Sequence, residues 1–276
     1  MMLLQAGQFG LTRNVLNPGL PPSVVAGGTL WFDASDINTL YTTWPSGGGS
    51  LITTDGQSIG AAANKINAAN GLFGDGIRPV HEVTGVNGLS SAVFSDPSGV
   101  SAAFGTTNTS GSPIASSSFV TTTIKNMVMA VKVNSAAADT GVAYTNRTIV
   151  GEGSGNFGLQ VTDPGGGVNL TARAYNFSAG SQEATANFAK STWVVLTYSH
   201  QAGAVRVRVN GGAWATTTSG ATDSIAQPLN IGSNSYSAVT DFEMVHLMVM
   251  NTTQTDASLG FCEQWIANEL GLTPWW

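Results

Sequence analysis

Between Trp193 and Ala215 the side chains change character at every second position. Val194, Leu196 and Tyr198 form one apolar stripe, and Val205, Val207 and Val209 then alternate with Arg206 and Arg208. A period of two is that of an extended strand, whose successive side chains point to opposite faces. Asn210-Gly211 tolerates the positive φ of a tight turn, so the segment is predicted to be a hairpin closing into Ala213-Trp214-Ala215. A hairpin of this kind needs a larger sheet to join.

Other segments supply it. Met127, Met129, Val131 and Val133 share one face of a strand whose other face holds Val128, Ala130 and Lys132. Apolar character on both faces predicts a central, covered strand, and Phe242 to Met250 reads the same way. Phe157, Leu159 and Val161, and then Val168, Leu170, Ala172 and Ala174, alternate with small or polar residues, which predicts strands with one wet face. Gly, Asn, Asp and Ser clusters separate these runs, as in all-β chains. One helix is predicted over Asp256 to Leu270, where Leu259, Cys262, Ile266 and Leu270 recur at three to four residues, Thr255 can cap the start and Gly271 can end it.

Composition supports this reading. Only 9% of residues are charged and 34 are Gly, while 42% apolar residues and seven Trp provide for a sizeable core. The net charge of −6, with ten thinly spread basic residues, offers no stripe to neutralise a phosphate backbone, so nucleic acid is not an expected partner. No run reaches the ~18 apolar residues of a membrane span, and the first ten residues lack a signal-peptide pattern. Cys262 beside Trp265 and Ile266 is expected to be a small buried hydrophobe. Residues 1–28, interrupted by Asn17-Pro18-Gly19-Leu20-Pro21-Pro22, form an expected N-terminal docking arm, and residues 29–276 the folded domain.

Leu30-Trp31-Phe32-Asp33-Ala34-Ser35-Asp36 resembles the opening strand of concanavalin A-like (laminin-G-like) lectin/glucanase domains, which are common in bacteriophage and bacterial surface proteins. Arg78-Pro79, Val86 to Phe94, Ile149 to Gly153, Asn230 to Ser233 and Trp265 to Leu272 are similar to later family segments, in the same order. The resemblance covers roughly residues 29–272 and implies an all-β, two-sheet antiparallel jelly-roll sandwich with one C-terminal helix and an extended N-terminal arm. Around Asn64-Lys65 the sequence departs from the family's usual loop.

Glycosidases of this family carry Glu-x-Asp-x-Glu on one strand, because hydrolysis with retention needs two carboxyl groups about 5–5.5 Å apart. None of the six Glu residues has that setting; Asp241 and Glu243 form the nearest pair at strand spacing. Gly151-Glu152-Gly153-Ser154-Gly155 lies between predicted strands, where a nucleophile elbow has no following helix, and His246 among Val245, Leu247 and Met248 reads as a core histidine. One Cys and three scattered His exclude a zinc site. No cofactor is expected; calcium is the ion the resemblance leaves open, with Asp33 and Asp36 as candidates, although three-residue spacing on a straight strand sends them to opposite faces.

Sugar binding would use an exposed aromatic face, and Tyr41 and Trp44 in a predicted loop are the candidates, with Trp31, Trp193 and Trp265 assigned to the core. Phe9 and Leu11 in the arm and the terminal Trp275-Trp276 are the candidate assembly contacts. The expected function is a non-enzymatic phage virion protein, either a head decoration or head fibre or a tail accessory module. It would be assembled in the host cytoplasm as a homo-oligomer, attach to other virion proteins through its two ends, and display a lectin-like sandwich to host glycans. The alternative is a carbohydrate-binding module of a cell-surface or adhesion protein; a glycan-cleaving enzyme lacks its carboxylate signature.

Overall fold

The computed structural model describes residues 27–43, 48–67, 71–74, 78–94, 104–105, 125–136, 148–152, 157–165, 167–176, 182–201, 203–218, 229–232 and 240–273. Residues 1–26 of the predicted arm, with Phe9 and Leu11, lie outside the described residues, as do Trp44, Trp275 and Trp276, while Gly28 already belongs to the first strand.

The strands in chain order are β1 (Gly28–Asp33), β2 (Leu40–Tyr41), β3 (Ala61–Ala63), β4 (Gly71–Gly74), β5 (Val80–Glu82), β6 (Ser91–Phe94), β7 (Phe104–Gly105), β8 (Asn126–Ala136) and β9 (Thr148–Glu152). Then come β10 (Phe157–Thr162), β11 (Asn169–Asn176), β12 (Gln182–Ala189), β13 (Trp193–Gln201), β14 (Ala204–Val209), β15 (Ala215–Thr218), β16 (Leu229–Ile231), β17 (Thr240–Met250) and the helix α1 (Asp256–Glu269). One sheet runs β15-β14-β13-β8-β17-β6-β5, with β1 also paired to β17; the second runs β12-β11-β10-β9-β16-β7-β4-β3-β2. Adjacent strands pair antiparallel throughout, giving the all-β jelly-roll sandwich expected from the sequence.

The core between the sheets is built from the inward-facing alternate residues. Met127, Met129, Val131 and Val133 of β8 meet Leu159, Val161, Leu170 and Ala172 of the second sheet. Phe94 and Phe242, on paired strands, stack with ring centroids 4.5 Å apart and planes 4° from parallel. Each large aliphatic side chain fully buried here contributes about 1.5–3 kcal/mol. Valine and methionine on both faces make β8 and β17 the spine of the first sheet, because only a strand covered on both sides can use such a sequence.

The cover on the outer face is α1. Thr255 caps it by accepting a hydrogen bond from Ser258 N at 3.1 Å. Leu259, Cys262, Trp265, Ile266 and Leu270 form a second core with Val128, Ala130, Val195 and Met248. Trp31 and Trp265 meet edge to face at 5.6 Å. Gly271, at φ +65°, ends the helix in the left-handed region. There Asn87 donates from Nδ2 to the Glu269 carbonyl at 3.0 Å, so the Val86 to Leu89 segment clamps the helix end.

Two local expectations are corrected. Val168 is not part of the β11 stripe: the strand starts at Asn169 and Val168 is 79% exposed. The Asn210-Gly211 turn forms, with both residues at positive φ and Gly212 N donating to the Val209 carbonyl, but the β14–β15 ladder begins only at Val207 opposite Ala215. Asn210 instead ties back to β13, where its side chain accepts from Val195 N at 2.8 Å. The detour frees Trp214 from the ladder.

Candidate functional site

Arg206 and Arg208 project from the outer face of β14 because Val205 and Val207 are committed to the core. The freed Trp214 lies against both guanidinium groups, whose carbons stand 4.3 Å (Arg206) and 4.2 Å (Arg208) from its ring centroid. Helix α1 approaches the same face. Arg206 donates to Asp256 Oδ1 at 3.1 Å and to Ser199 Oγ at 3.0 Å, and Arg208 donates from Nε to Glu263 Oε1 at 2.7 Å. Thr197, one strand further in, also donates to Glu263 Oε1. Burial pushes the Glu263 carboxyl up from the ordinary range, against the pull of Thr197 and Arg208.

Between α1 and the β14 turn lies an open pocket of about 430 Å³. Arg208 and Glu263 form its inner wall, Asp256 and Gln264 its polar rim, and Phe261 its apolar side. Phe261 is 42% exposed, unusual for a large apolar side chain next to a helix's buried face. Gly211 and Gly260 also line it, and a Cβ added at Gly260 would meet nothing within 4 Å. Arg208 is 8% exposed, yet its Nη2 has no acceptor among the described residues, and neither does Trp214 Nε1.

A second polar cluster explains the 30–36 segment. The strand ends at Asp33 and a short 3-10 turn at Ile37–Thr39 follows, capped by Asp36. The bend brings Asp33 and Asp36 together, contrary to the opposite faces expected of a straight strand. Lys65 Nζ fills the place a cation would take, 2.8 Å from Asp33 and 3.0 Å from Asp36, and lies over the Trp31 ring. Asn64 positions it: its side chain accepts from Trp31 N and Ile66 N and donates to the Thr29 carbonyl, each at 2.9–3.0 Å. His246 is buried beneath, with Nδ1 3.4 Å from Asp33 Oδ1. Burial pushes its pKa down, opposed by Asp33 and assisted by Lys65. Burial alone would raise Asp33, but His246, Lys65 and Ser35 outweigh it and hold its carboxyl below the usual value.

Asp241 and Glu243 lie at the far end of the same outer face. Lys132 pairs with Glu243 at 2.5 Å and Asn134 donates to it at 3.3 Å. Burial raises the Asp241 carboxyl, with Asn134 opposing. Among the described residues no group of three or more His, Cys, Asp or Glu is arranged to hold a metal ion, and no helix is long and apolar enough to cross a membrane. Tyr41 ends β2 half-buried, its hydroxyl donating to the Asn38 carbonyl at 3.2 Å, far along the second sheet from the α1 pocket. The sequence reading placed none of the pocket residues in a site. The available signal was Glu263, a carboxylate beside Cys262 on the buried side of an amphipathic helix, where only a partnered charge is stable.

No family model matches the sequence, and no curated protein matches it. Solved structures do. Domain 4 of AbnA, a GH43 extracellular arabinanase from Geobacillus stearothermophilus, in complex with arabinotriose, is similar with a TM-score of 0.55 at 13% identity over 86% of this chain and 98% of that one. The binding domain of Paraclostridial Mosquitocidal Protein 1 is similar with a TM-score of 0.53 at 8% identity over 88% of this chain. The binding domain of botulinum neurotoxin DC in complex with SialylT gives 0.50 at 11% identity over 89%. The chain spans about half the length of these two toxin domains, 53% and 52%. At such identities the likeness shows the sandwich fold.

Proposed function

We propose that this chain is a glycan-binding jelly-roll module that holds its ligand in the pocket between α1 and β14. The observation that carries the reading is an open pocket that sets an exposed apolar ring, Phe261, beside the polar side chains of Asp256, Glu263 and Gln264. A sugar ring presents a C–H face to such a ring and hydroxyl groups to such polar side chains. Support comes from the fold, shared with a domain solved with arabinotriose and with a toxin binding domain solved with SialylT. The reading is non-catalytic: Glu263 and Glu243 are each engaged by a basic side chain, which favours a fixed ion pair over an acid poised for proton transfer. The resemblance of residues 30–36 and 78–94 to phage-borne domains supports a virion as the place of display.

A glycan array probed with the full chain tests this. Selective binding is expected, reduced about tenfold by Phe261→Ala, the scale of one aromatic contact with a ligand. Binding abolished by Trp44→Ala or Tyr41→Ala but untouched by Phe261→Ala moves the site to the β2 end of the second sheet. No binding to any glycan overturns the reading.

A further inference from the structure

We infer that the α1–β14 pocket takes an uncharged sugar in preference to an acidic one, with the Arg208–Glu263 pair reading its hydroxyl groups; the inference rests on the glycan-binding reading above. The pair is joined at one point only, Arg208 Nε to Glu263 Oε1 at 2.7 Å, and Thr197 donates to that same oxygen. Two polar atoms are left over. Among the described residues Glu263 Oε2 and Arg208 Nη1 have no hydrogen-bond partner, and unlike Arg208 Nη2 neither is closed off from solvent. Both side chains line the pocket, although only 9% (Arg208) and 2% (Glu263) of their surface stays exposed. A guanidinium N–H only donates and a carboxylate oxygen only accepts, whereas a hydroxyl does both. An inner wall that holds one of each therefore suits the hydroxyls of a neutral sugar. A ligand carboxylate, which only accepts, would instead face Glu263 Oε2 with a like charge.

The charges of the lining act in the same direction. Arg208 is the basic side chain there, against Glu263 and Asp256, and it is already committed to Glu263. Asp256 remains at the rim. It holds Arg206, which is outside the lining, through Oδ1, and its side chain is 54% exposed, so water screens that pair. An acidic sugar would have to pass this carboxylate to reach the one on the inner wall, on a chain whose net charge is −6. A neutral sugar meets no such barrier, and Phe261 offers its apolar face a partner at the side of the pocket. Specificity of this kind works by opposing the wrong ligand as much as by fitting the right one.

The test is a chemical-shift titration of the full chain with two matched pairs, methyl glucoside with methyl glucuronide and methyl galactoside with methyl galacturonide. In any pair that binds, the neutral member is expected to bind about tenfold more tightly than the acid. Glu263→Gln keeps the length and an acceptor oxygen but removes the charge, and Asp256→Asn does the same at the exposed rim, where the ion pair contributes little to the fold. Each is expected to narrow the gap to below about threefold, and Asp256→Asn carries the test should Glu263→Gln melt early. Gly260→Leu adds a side chain to the lining where a Cβ meets nothing, and it is expected to abolish binding. An acid that binds as tightly as its neutral partner overturns the inference while the glycan reading stands, as does a gap that neither charge variant narrows. Binding that survives Gly260→Leu lies outside the pocket and overturns both. If no member of either pair binds, the glycan array decides: hits confined to uncharged glycans and removed by Gly260→Leu uphold the inference, and hits on uronic or sialic acids overturn it. A blank array overturns the glycan reading itself.

Discussion

Arg208 and Glu263, 55 residues apart, are joined by a 2.7 Å hydrogen bond across the seam between β14 and α1, with side chains 9% and 2% exposed. A buried pair of this kind attaches the helix to the sheet in one register, at the cost of stripping water from both charges. Glu263→Ala strands the guanidinium and is expected to destabilise the fold by about 3–5 kcal/mol. The double replacement Arg208→Met with Glu263→Leu is expected to recover most of that loss. Urea unfolding of Glu263→Ala and of the double variant compares the two, and a double variant no more stable than Glu263→Ala would contradict it.

Acid is expected to weaken the fold from the His246 side first. Its folded pKa lies below the ordinary 6.5, so the unfolded chain binds the proton more readily. The stability it contributes is complete above pH 6.5 and is lost as pH falls through the depressed folded value. Asp33, held below 3.8, adds a second loss as pH falls through its own lower value. Glu263 runs in the opposite sense: its raised pKa favours the fold below 4.5, an advantage that disappears as pH rises through the folded value. Urea midpoints measured against pH should decline below 6.5, and His246→Gln should remove that first decline while leaving the Asp33 loss in place.

The Cys262 thiol sits fully buried in the helix–sheet core, and burial together with the neighbouring Glu263 pushes its pKa up to about 12. Thiolate is the reactive form, so native protein at pH 8 should resist a thiol reagent. Guanidinium chloride should release one equivalent. Reaction at the rate of a free thiol without denaturant would mean that α1 opens readily.

Asn64→Ala is expected to cost about 2 kcal/mol or more, because it leaves the amides of Trp31 and Ile66 without their acceptor in a closed environment. Lys65 should lose its aim at the same time, so the acid sensitivity assigned to Asp33 should change with it. Thermal unfolding at two pH values reads both effects.

The two ends of α1 give a graded pair. Thr255→Ala removes the cap on Ser258 N and is expected to cost about 1 kcal/mol. Gly271→Ala forces a side chain into a left-handed position with its Cβ 3.0 Å from the Asn87 carboxamide, a strain of about 1–3 kcal/mol. Urea midpoints that order the two variants the other way would place the helix anchorage at its start.

How far the sequence disclosed this molecule depended on the range over which each feature acts. The β8 and β17 spines and α1 were legible because a period of two, a period near 3.6 and a capping threonine are all written within a few neighbouring residues. The turn at Asn210-Gly211 was legible for the same reason, but its ladder was not, because Asn210 is held by Val195 on another strand. Asp33 and Asp36 were read as diverging, since the bend that brings them together is fixed by Lys65, some thirty residues on. The α1–β14 pocket required knowing which strand the helix would cross. Only the misfit of Glu263 on a buried helical face hinted at it.

In the first sheet, Trp31 is paired with Met248 and Phe32 with Leu247. One flank of the spine strand β17 is shared by β6 and β1, and the β1 part stays unsatisfied until residues more than two hundred positions apart have met. Chains whose decisive contacts span such distances pay the loop-closure cost before any contact rewards it, and they assemble slowly. During synthesis, β1 must wait as an unmatched edge while the fifteen strands found between it and β17 among the described residues are made. Until β17 emerges the partner position beside β1 is vacant, which makes β1 a strand where a chaperone, or a neighbouring nascent copy, has a long opportunity to bind.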